Sequence, residues 1–164
     1  MALGSNIEPE ENLPQAISLL NRECTVEAVS PVYAAEPVGS PEAPMFLNAA
    51  ARISTALSPQ DLKYGVLRPL EERLGRRRSA DRYAPRTIDL DIALFGSLVI
   101  DDPAHGLVIP DPEIATCAHL ALPLADLEPS FRHPVSGEML SELAAAFADS
   151  ESIRLFDKLR LQPG

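Results

Sequence analysis

Apolar residues recur along the chain with two periods, one typical of strands and the other typical of helices. The segment 2–5 (ALGS) predicts the end of a strand, and a Gly-Ser-Asn turn follows it. A short helix is predicted from Asn12 through Leu20, where apolar residues recur at helical spacing. Valine-rich alternation over 25–33 predicts a second strand, and Pro31 places this strand at a sheet edge or interrupts it.

A loop rich in Pro, Gly and Ser spans 36–44 and separates this strand from the next one. In FLNAAARIST, residues 46–55, side chains alternate between two faces, and Phe46 and Asn48 share one of them. This alternation predicts a further strand of the same sheet.

The next helix has a clear start and a clear end in the sequence. Ser58 is a good N-cap residue and Pro59 suits the first helical position, so we expect a helix from Pro59 to about Leu74. Gly75 is its predicted end, and Pro69 inside it predicts a kink or a break.

The remaining pattern completes an α+β fold. Residues 87–95 read as a strand, and the Gly96-Ser97 pair predicts a hairpin with a strand at 98–100. The predicted order, βαββαβ plus this added hairpin strand, is the ferredoxin-like arrangement, an antiparallel sheet with helices on one face. C-terminal helices near 113–127 and 138–147 and a final strand at 153–156 are predicted after it.

Length and composition agree with one compact unit. A chain of 164 residues with 46% apolar content predicts a single domain over 1–164. No 18-residue apolar span occurs, and MALGSNIEPE lacks the features of a secretory signal, so we expect a cytoplasmic protein without a membrane partner. Cys24 and Cys117 lack the spacing of a zinc motif and are expected to be reduced thiols.

The charge is distributed unevenly. A net charge of −10 argues against general nucleic-acid binding, which usually needs a basic face. Seven of the 14 lysine and arginine residues nevertheless fall between positions 68 and 86. The sequence therefore predicts a local cationic site in an acidic protein.

Two aspartates interrupt the apolar run that follows this basic segment. Side chains two apart on a strand share a face, so Asp89 and Asp91 are expected to be neighbours. Paired carboxylates suit Mg²⁺, which combines one or two of them with water and phosphate oxygens. Two other interpretations remain open at this point, since both side chains could simply face solvent or could pair with arginines in a structural network.

The arginines just upstream favour a phosphate site. Polyphosphate transfer needs cations that neutralise phosphate oxygens beside a metal, and Arg86 lies three residues before Asp89. An arginine-rich loop can equally be a solvated helix end. No Walker A loop or nucleophile elbow is present, which indicates that the attacking hydroxyl belongs to a substrate. An aromatic ring and an amide on one strand, Phe46 and Asn48, could hold a flat heterocycle, although each could also serve the fold alone.

Six motifs together resemble those of one enzyme family. They are ALGSN at 2–6, SPVY at 30–33, FLNAA at 46–50, GRRRSADRYAPRTIDLDIALFG at 75–96, IP at 109–110 and PL at 123–124. On these motifs the chain resembles the 6-hydroxymethyl-7,8-dihydropterin pyrophosphokinases of folate biosynthesis from Ala2 to about Leu140. The resemblance implies transfer of pyrophosphate from ATP, with two Mg²⁺ ions, to the pterin hydroxymethyl group, with release of AMP. Association or fusion with other folate enzymes is also within what it implies.

The same resemblance implies a role for individual residues. By matching position, Asp89 and Asp91 would hold the metals, with Arg76 and Arg86 as phosphate-binding and catalytic residues. The remaining ATP contacts would come from Glu71 at the ribose, Ile92 beside adenine, Asp111, and the loop arginines Arg78 and Arg82. The pterin would meet Phe46, Asn48, Asp89, Tyr83 of the closing loop, His119 and the backbone of Ala35 and Val38.

The sequence departs from the family pattern after IP. Asp111 stands where a phosphate-contacting histidine is usual, and Cys117 and His119 occupy the stretch that usually carries an arginine and a phenylalanine. His119 would be the second stacking ring if it keeps the place of the phenylalanine. Residues that normally precede ALGSN are missing, so the first strand is expected to be shortened at its N-terminus.

Two further hypotheses come from other classes of protein. One is a degenerate homologue or excised fusion module that retains the fold and ATP binding with little turnover, which Asp111 and Cys117 support. The other is a ferredoxin-like RNA-binding module, which the net charge of −10 and the absence of paired aromatics on adjacent strands disfavour.

Overall fold

An antiparallel sheet forms the centre of the fold, in a computed structural model that describes residues 1–37, 44–78, 80–81 and 84–163. The strands are β1 (Ala2–Ser5), β2 (Thr25–Val29), β3 (Tyr33–Ala35), β4 (Phe46–Ser54), β5 (Asp89–Asp91), β6 (Ile100–Asp102), β7 (Leu107–Ile109) and β8 (Ile153–Leu155). The sheet has the order β5-β1-β4-β3-β8, and β2 also pairs with β4. Through β5 this is the strand order of the ferredoxin-like fold, so the predicted fold class is confirmed.

β4 is the strand on which the sheet is assembled. β1 pairs with one edge of it, and β2 and β3 pair with successive parts of the other edge. The break between β2 and β3 contains Pro31, as predicted. Ser30 bridges this break, because its N–H donates to the Ala50 carbonyl at 2.9 Å and its Oγ accepts from the Ala50 N–H at 2.8 Å. The interruption therefore leaves no backbone group of Ala50 unpaired.

The helices are α1 (Pro9–Glu23), α2 (Pro59–Asp61), α3 (Arg68–Arg73), α4 (Ala118–Leu127) and α5 (Leu140–Ala145), and a π-helical turn (Leu62–Leu67) joins α2 to α3. Ser58 caps α2 through its side-chain oxygen, which accepts from the Asp61 N–H. The π-helical turn precedes Pro69, and the Arg68 N–H there bonds to the carbonyl five residues back. Such a widened turn is one way for a helix to accommodate a proline. Gly75, at φ 79°, ends the helix as predicted.

Opposite faces of the sheet are covered by different helices. Leu3, Leu47 and Leu90 belong to a core that also contains α1, the π-helical turn and α3. This is the helix-covered face expected for the ferredoxin-like arrangement. Ala49 and Ala51 face the same core, whereas Ala50 between them faces the other side of the sheet and packs with Leu124 of α4 and with α5. Small side chains on β1 and β4 therefore leave room on the second face, partly under α4.

The predicted hairpin after the aspartate strand is wrong. β5 is limited to Asp89–Asp91, and Leu98 and Val99 are 46% and 58% exposed. β6 pairs instead with β7 in a separate two-stranded sheet, closed by Gly106 at φ 65°. The strand added to the main sheet is β8, which pairs with β3. The Gly96-Ser97 pair therefore did not mark the hairpin turn. The turn that joins two paired strands lies further along the chain, where Gly106 has a positive φ.

The other C-terminal predictions agree in type but differ in extent. The helix expected near 113–127 is a short 3-10 helix (Pro112–Ala115) followed by α4, and the helix expected near 138–147 is α5. None of the described helices combines the length and apolar composition that a membrane span requires.

Candidate active site

One row of residues crosses the second face of the sheet from β5 to β3. Strand register places Asp89 opposite Gly4, Gly4 opposite Asn48, and Asn48 opposite Tyr33. A Cβ atom at Gly4 would lie 3.2 Å from Oδ1 of Asn48, so the glycine keeps the space between the aspartate and the amide open. Asp91 lies opposite Ala2, which extends the acidic end of this face.

Arginines surround the carboxylate of Asp89. Arg86 Nη1 donates to Asp89 Oδ2 at 2.5 Å, and Arg76 Nε lies 3.7 Å from Oδ1. The Arg76 Nε is buried and has no hydrogen-bond partner among the described residues. Two predicted arginines and one predicted aspartate are therefore in one cluster, with a buried cationic donor left for an anion.

The turn after β1 fixes the backbone of Arg86. Asn6 Oδ1 accepts from the Arg86 N–H at 2.7 Å, and the Asn6 N–H donates to the Arg86 carbonyl at 3.0 Å. Ser5 Oγ donates to the Thr87 carbonyl at 2.6 Å. We call these contacts the Asn6–Arg86 clasp. Sequence reasoning missed Asn6 because a Gly-Ser-Asn turn is common, although an amide directly after a strand end was the available signal.

Glu71 occupies a buried position beneath the aspartate strand. Its side chain accepts from the Leu90 N–H at 2.8 Å and pairs with Arg78 Nη2 at 2.7 Å, while the residue is only 3% exposed. Burial raises the pKa of Glu71 to about 7, and the charge of Asp89 adds to the rise, while the Leu90 hydrogen bond opposes it. Glu71 thus links α3 to β5 through the backbone between the two aspartates.

We expect the stability of the protein to depend on pH through Glu71. A carboxyl group with a raised pKa binds its proton more tightly in the folded state, so its stabilising effect is full below its ordinary pKa of 4.5 and is lost as pH rises through about 7. Relative to Glu71→Gln, which does not titrate, the wild-type free energy of unfolding should fall by on the order of 2 kcal/mol across this interval.

Urea denaturation at several pH values measures this difference. Glu72→Gln, a change at the exposed neighbour on the same helix, is the matched control and should show the wild-type pH dependence. Equal pH slopes for wild type and Glu71→Gln would contradict the assignment.

Asp91 lines an open cavity beside β5. The cavity of about 360 Å³ is also lined by Ile92, Asp111 and Lys63. Asp91 remains accessible, but nearby protein atoms displace part of the water around its carboxylate. This loss of solvation and the charge of Asp89 raise the pKa of Asp91 to about 6, and the charge of Lys63 opposes the rise. Lys63 Nζ donates to the Gly106 carbonyl at 2.6 Å. Sequence reasoning missed Lys63, since a lysine on an amphipathic helix normally faces solvent.

The residues predicted for a flat heterocycle lie at the other end of the row. Ala35 is opposite Phe46, and the side chain of Asn48 is almost completely buried. Tyr33 donates its hydroxyl to Asp126 of α4 at 2.7 Å, which ties α4 to this end of the sheet. Val38, Arg82 and Tyr83, also predicted for the site, lie outside the described residues.

The departures from the family pattern fall in one place. Asp111 caps the 3-10 helix by accepting from the Glu113 N–H at 2.8 Å, and burial raises the pKa of Asp111. Cys117 is the N-cap residue of α4, and His119 lies in its first turn. Burial lowers the pKa of His119, and the nearby charges of Glu113 and Asp111 oppose this.

Comparisons with known proteins agree on one family. The family model for 7,8-dihydro-6-hydroxymethylpterin-pyrophosphokinase matches residues 1–129. The chain is 42% identical over 149 residues to the 2-amino-4-hydroxy-6-hydroxymethyldihydropteridine pyrophosphokinase of Pseudomonas aeruginosa, covering 89% of each chain. It is 35% identical over 159 residues to the protein of the same name from Bacillus subtilis, covering 95% of this chain and 88% of that one. A "Folate synthesis bifunctional protein" of Arabidopsis thaliana is 38% identical over 130 residues, 77% of this chain and 26% of that protein.

Proposed function

Because the chain belongs to the 7,8-dihydro-6-hydroxymethylpterin-pyrophosphokinase family, we propose that its acidic and basic residues on one sheet face carry out that chemistry. It is an ATP-dependent pyrophosphokinase of folate synthesis, which transfers pyrophosphate from ATP to the hydroxymethyl group of the dihydropterin and releases AMP. The observation that carries the residue assignment is the shared face of Asp89, Asp91 and Asn48, with Arg86 and Arg76 at its acidic end.

Arg76 and Arg86 act on the phosphates in this proposal. Both guanidinium groups surround Asp89, and the buried Nε of Arg76 lacks a hydrogen-bond partner among the described residues. Fixed cationic donors of this kind stabilise the charge on a transferred phosphoryl group without reorganising during the reaction. The Asn6–Arg86 clasp holds one of them in place before substrate arrives.

Asp89 and Asp91 are suited to hold Mg²⁺, and we propose two ions there. Hard carboxylate oxygens on one strand face match the ligands that Mg²⁺ prefers, and one of the two aspartates opens onto the cavity. Loss of solvation is the main cause of the raised pKa of Asp91, and the charge of Asp89 adds to it, so a bound cation would offset the cost of a second carboxylate charge there. When bound, Mg²⁺ would supply neutralisation of the phosphate charge.

The ATP nucleoside is proposed to enter the cavity beside β5. Ile92 supplies an apolar wall there, and Lys63 supplies a positive charge close to Asp91. Glu71, predicted at the ribose, is 3% exposed and does not line this cavity, so a ribose contact by it needs local movement, including release of its 2.7 Å contact with Arg78. Arg78 would then be free to turn toward the phosphates, together with Arg82 of the same loop.

The pterin is proposed to lie at the Asn48 end of the row. An amide offers both a donor and an acceptor, which matches the edge of a pterin ring, and Phe46 offers an apolar face. The backbone of Ala35 lies beside Phe46 in the sheet register and can add contacts. Val38, Tyr83 and His119 remain proposed partners from the motif match.

An assay for AMP release tests the function directly. Purified protein with ATP and Mg²⁺ should release AMP only when hydroxymethyl-dihydropterin is added. AMP release that ignores the pterin, or no release despite saturable ATP binding, would contradict the proposal. The second result would favour the degenerate homologue instead.

The charge of Asp111 is expected to weaken ATP binding. Asp111→Asn removes the charge and retains an oxygen that can cap the 3-10 helix, and Asp111→His adds a possible donor to phosphate. Both changes should lower the ATP dissociation constant several-fold, about 1 kcal/mol, and leave pterin affinity unchanged.

Calorimetry with a nonhydrolysable ATP analogue at fixed Mg²⁺ measures this affinity. Asp101→Asn, at an exposed position on β6, is the control and should not alter it. Unchanged binding in Asp111→Asn would mean that Asp111 points to solvent, and weaker binding would mean that it helps to hold a cation.

A further inference from the structure

Three side chains of different chemistry converge between the 3-10 helix and the first turn of α4. We call Glu113, Cys117 and His119 the rim cluster. A carboxylate oxygen, the Sγ atom and an imidazole nitrogen of these residues all lie within 4.8 Å of one another. The cluster is separate from the aspartates of β5. His119 is also a proposed pterin partner, whereas Glu113 and Cys117 have no part in the proposed reaction.

The backbone holds the rim cluster in this arrangement. The Cys117 N–H donates to the Glu113 carbonyl at 2.8 Å, which fixes two of the three residues relative to each other. The Asp111 N–H donates to the Ala93 carbonyl at 2.8 Å, so the loop that carries Glu113 is joined to the end of β5. These hydrogen bonds fix the backbone that carries Glu113 and Cys117, and rotation of the side chains sets the final positions of the ligand atoms.

The donor set is that of a borderline transition metal. Thiolate, imidazole and carboxylate all bind Zn²⁺, whereas Mg²⁺ takes oxygen ligands alone. A tetrahedral ion with bonds of roughly 2.0–2.3 Å holds its ligand atoms about 3.3–3.8 Å apart. The observed separations, at most 4.8 Å, need to shorten by no more than about 1–1.5 Å to reach this geometry, which side-chain rotation can supply.

We propose that the rim cluster binds Zn²⁺ or a similar divalent transition metal through Glu113, Cys117 and His119, with a fourth coordination position left open. Burial lowers the pKa of His119, which keeps its imidazole neutral and its lone pair available. Burial raises the pKa of the Cys117 thiol, so metal binding releases a proton from it. Asp111 adds negative charge beside both groups and strengthens attraction for a cation.

Cobalt substitution tests the site in the whole chain without substrate. Metal-free protein titrated with Co²⁺ should develop visible bands of a tetrahedral ion and a near-ultraviolet thiolate-to-cobalt charge-transfer band. Zn²⁺ should abolish both bands at one equivalent, and a large excess of Mg²⁺ should not. Cys117→Ser should remove the charge-transfer band, and Glu113→Gln and His119→Gln should weaken Co²⁺ binding at least about tenfold.

Matched variants separate this site from others in the chain. Cys24→Ala and His105→Gln change a cysteine and a histidine outside the cluster and should bind Co²⁺ as wild type does. Asp89→Asn should also retain the charge-transfer band, since that aspartate belongs to the proposed Mg²⁺ site. Circular dichroism of the metal-free variants verifies that each is folded.

Absence of the sulfur band in wild type, or an unchanged band in folded Cys117→Ser, would overturn the proposal. The titrations report metal binding alone, and none of them depends on pyrophosphate transfer. Failure of the pyrophosphokinase assay would therefore leave the result for the rim cluster unaffected, and failure here would leave that assay unaffected.

Discussion

Asp91→Asn is expected to lower the rate of AMP release at least about 10²-fold, which is a loss of about 2.7 kcal/mol of transition-state stabilisation. The carboxylate opens onto the proposed nucleotide cavity, and an amide cannot match its charge toward Mg²⁺. Asp89→Ala should have an effect at least as large, because it also removes the partner of Arg86 and Arg76. Saturating Mg²⁺ and both substrates isolate the effect on turnover.

Asp91→Asn should not destabilise the folded protein. Asp91 is surrounded by the like charges of Asp89 and Asp111, so in Mg²⁺-free buffer Asp91→Asn should be neutral or stabilising, by less than about 1 kcal/mol. Asp101→Asn controls for the substitution itself. Near-normal AMP release by both Asp91→Asn and Asp89→Ala would show that the metal assignment is wrong.

Arg86→Ala is the second change with a large expected effect, a loss of 10²-fold or more in kcat/KM for ATP. It removes the donor that contacts Asp89 at 2.5 Å and leaves that carboxylate, as far as the described arginines go, beside the more distant Arg76. Arg86→Lys keeps the charge without the planar fork and should recover only part of the activity. Steady-state kinetics with varied ATP separates lost binding from lost turnover.

Arg73→Ala removes an exposed arginine from the last turn of α3 and is the control for lost positive charge. It should leave kcat/KM within about twofold, because an exposed charge is screened by salt. An equal loss in Arg73→Ala and Arg86→Ala would mean that general electrostatic attraction, rather than a positioned arginine, accounts for the effect.

Local signals in the sequence were sufficient to predict where several helices and strands of the ferredoxin-like unit begin, end or break. Ser58 and Gly75 marked the ends of the helix that contains Pro69, and Pro31 marked the break between β2 and β3. Each of these residues acts through its own backbone or through hydrogen bonds a few residues away. Such effects depend little on the rest of the fold, which is why they can be predicted.

Choices among distant partners could not be predicted in the same way. A final strand was expected at 153–156, but the place of β8 beside β3 depends on a contact between segments about 120 residues apart. Leu98 and Val99 had the pattern of a strand and remain exposed. Apolar periodicity states that a segment can pair, whereas the partner depends on the competition among all available edges.

In the candidate site, too, local spacing predicted some residues, while others depend on tertiary packing. Spacing on one strand was enough to expect Asp89 and Asp91 on a common face, and the nearby arginine was expected to join them. The burial of Glu71 beneath Leu90 depends on how α3 packs against β5. The hydrogen bond from Leu90 is a tertiary contact, and a glutamate on a helix carries no local sign of it.

The Asn6–Arg86 clasp also determines when the site forms as the chain folds. It joins residues 80 positions apart, so its formation must first overcome the entropy of closing that long loop. Contacts of such separation form late and slow the folding of the domain. A chain in which Asn6 has not met Arg86 would lack a positioned Arg86, so recovery of AMP release during refolding would report only chains in which β1 and the segment before β5 have come together.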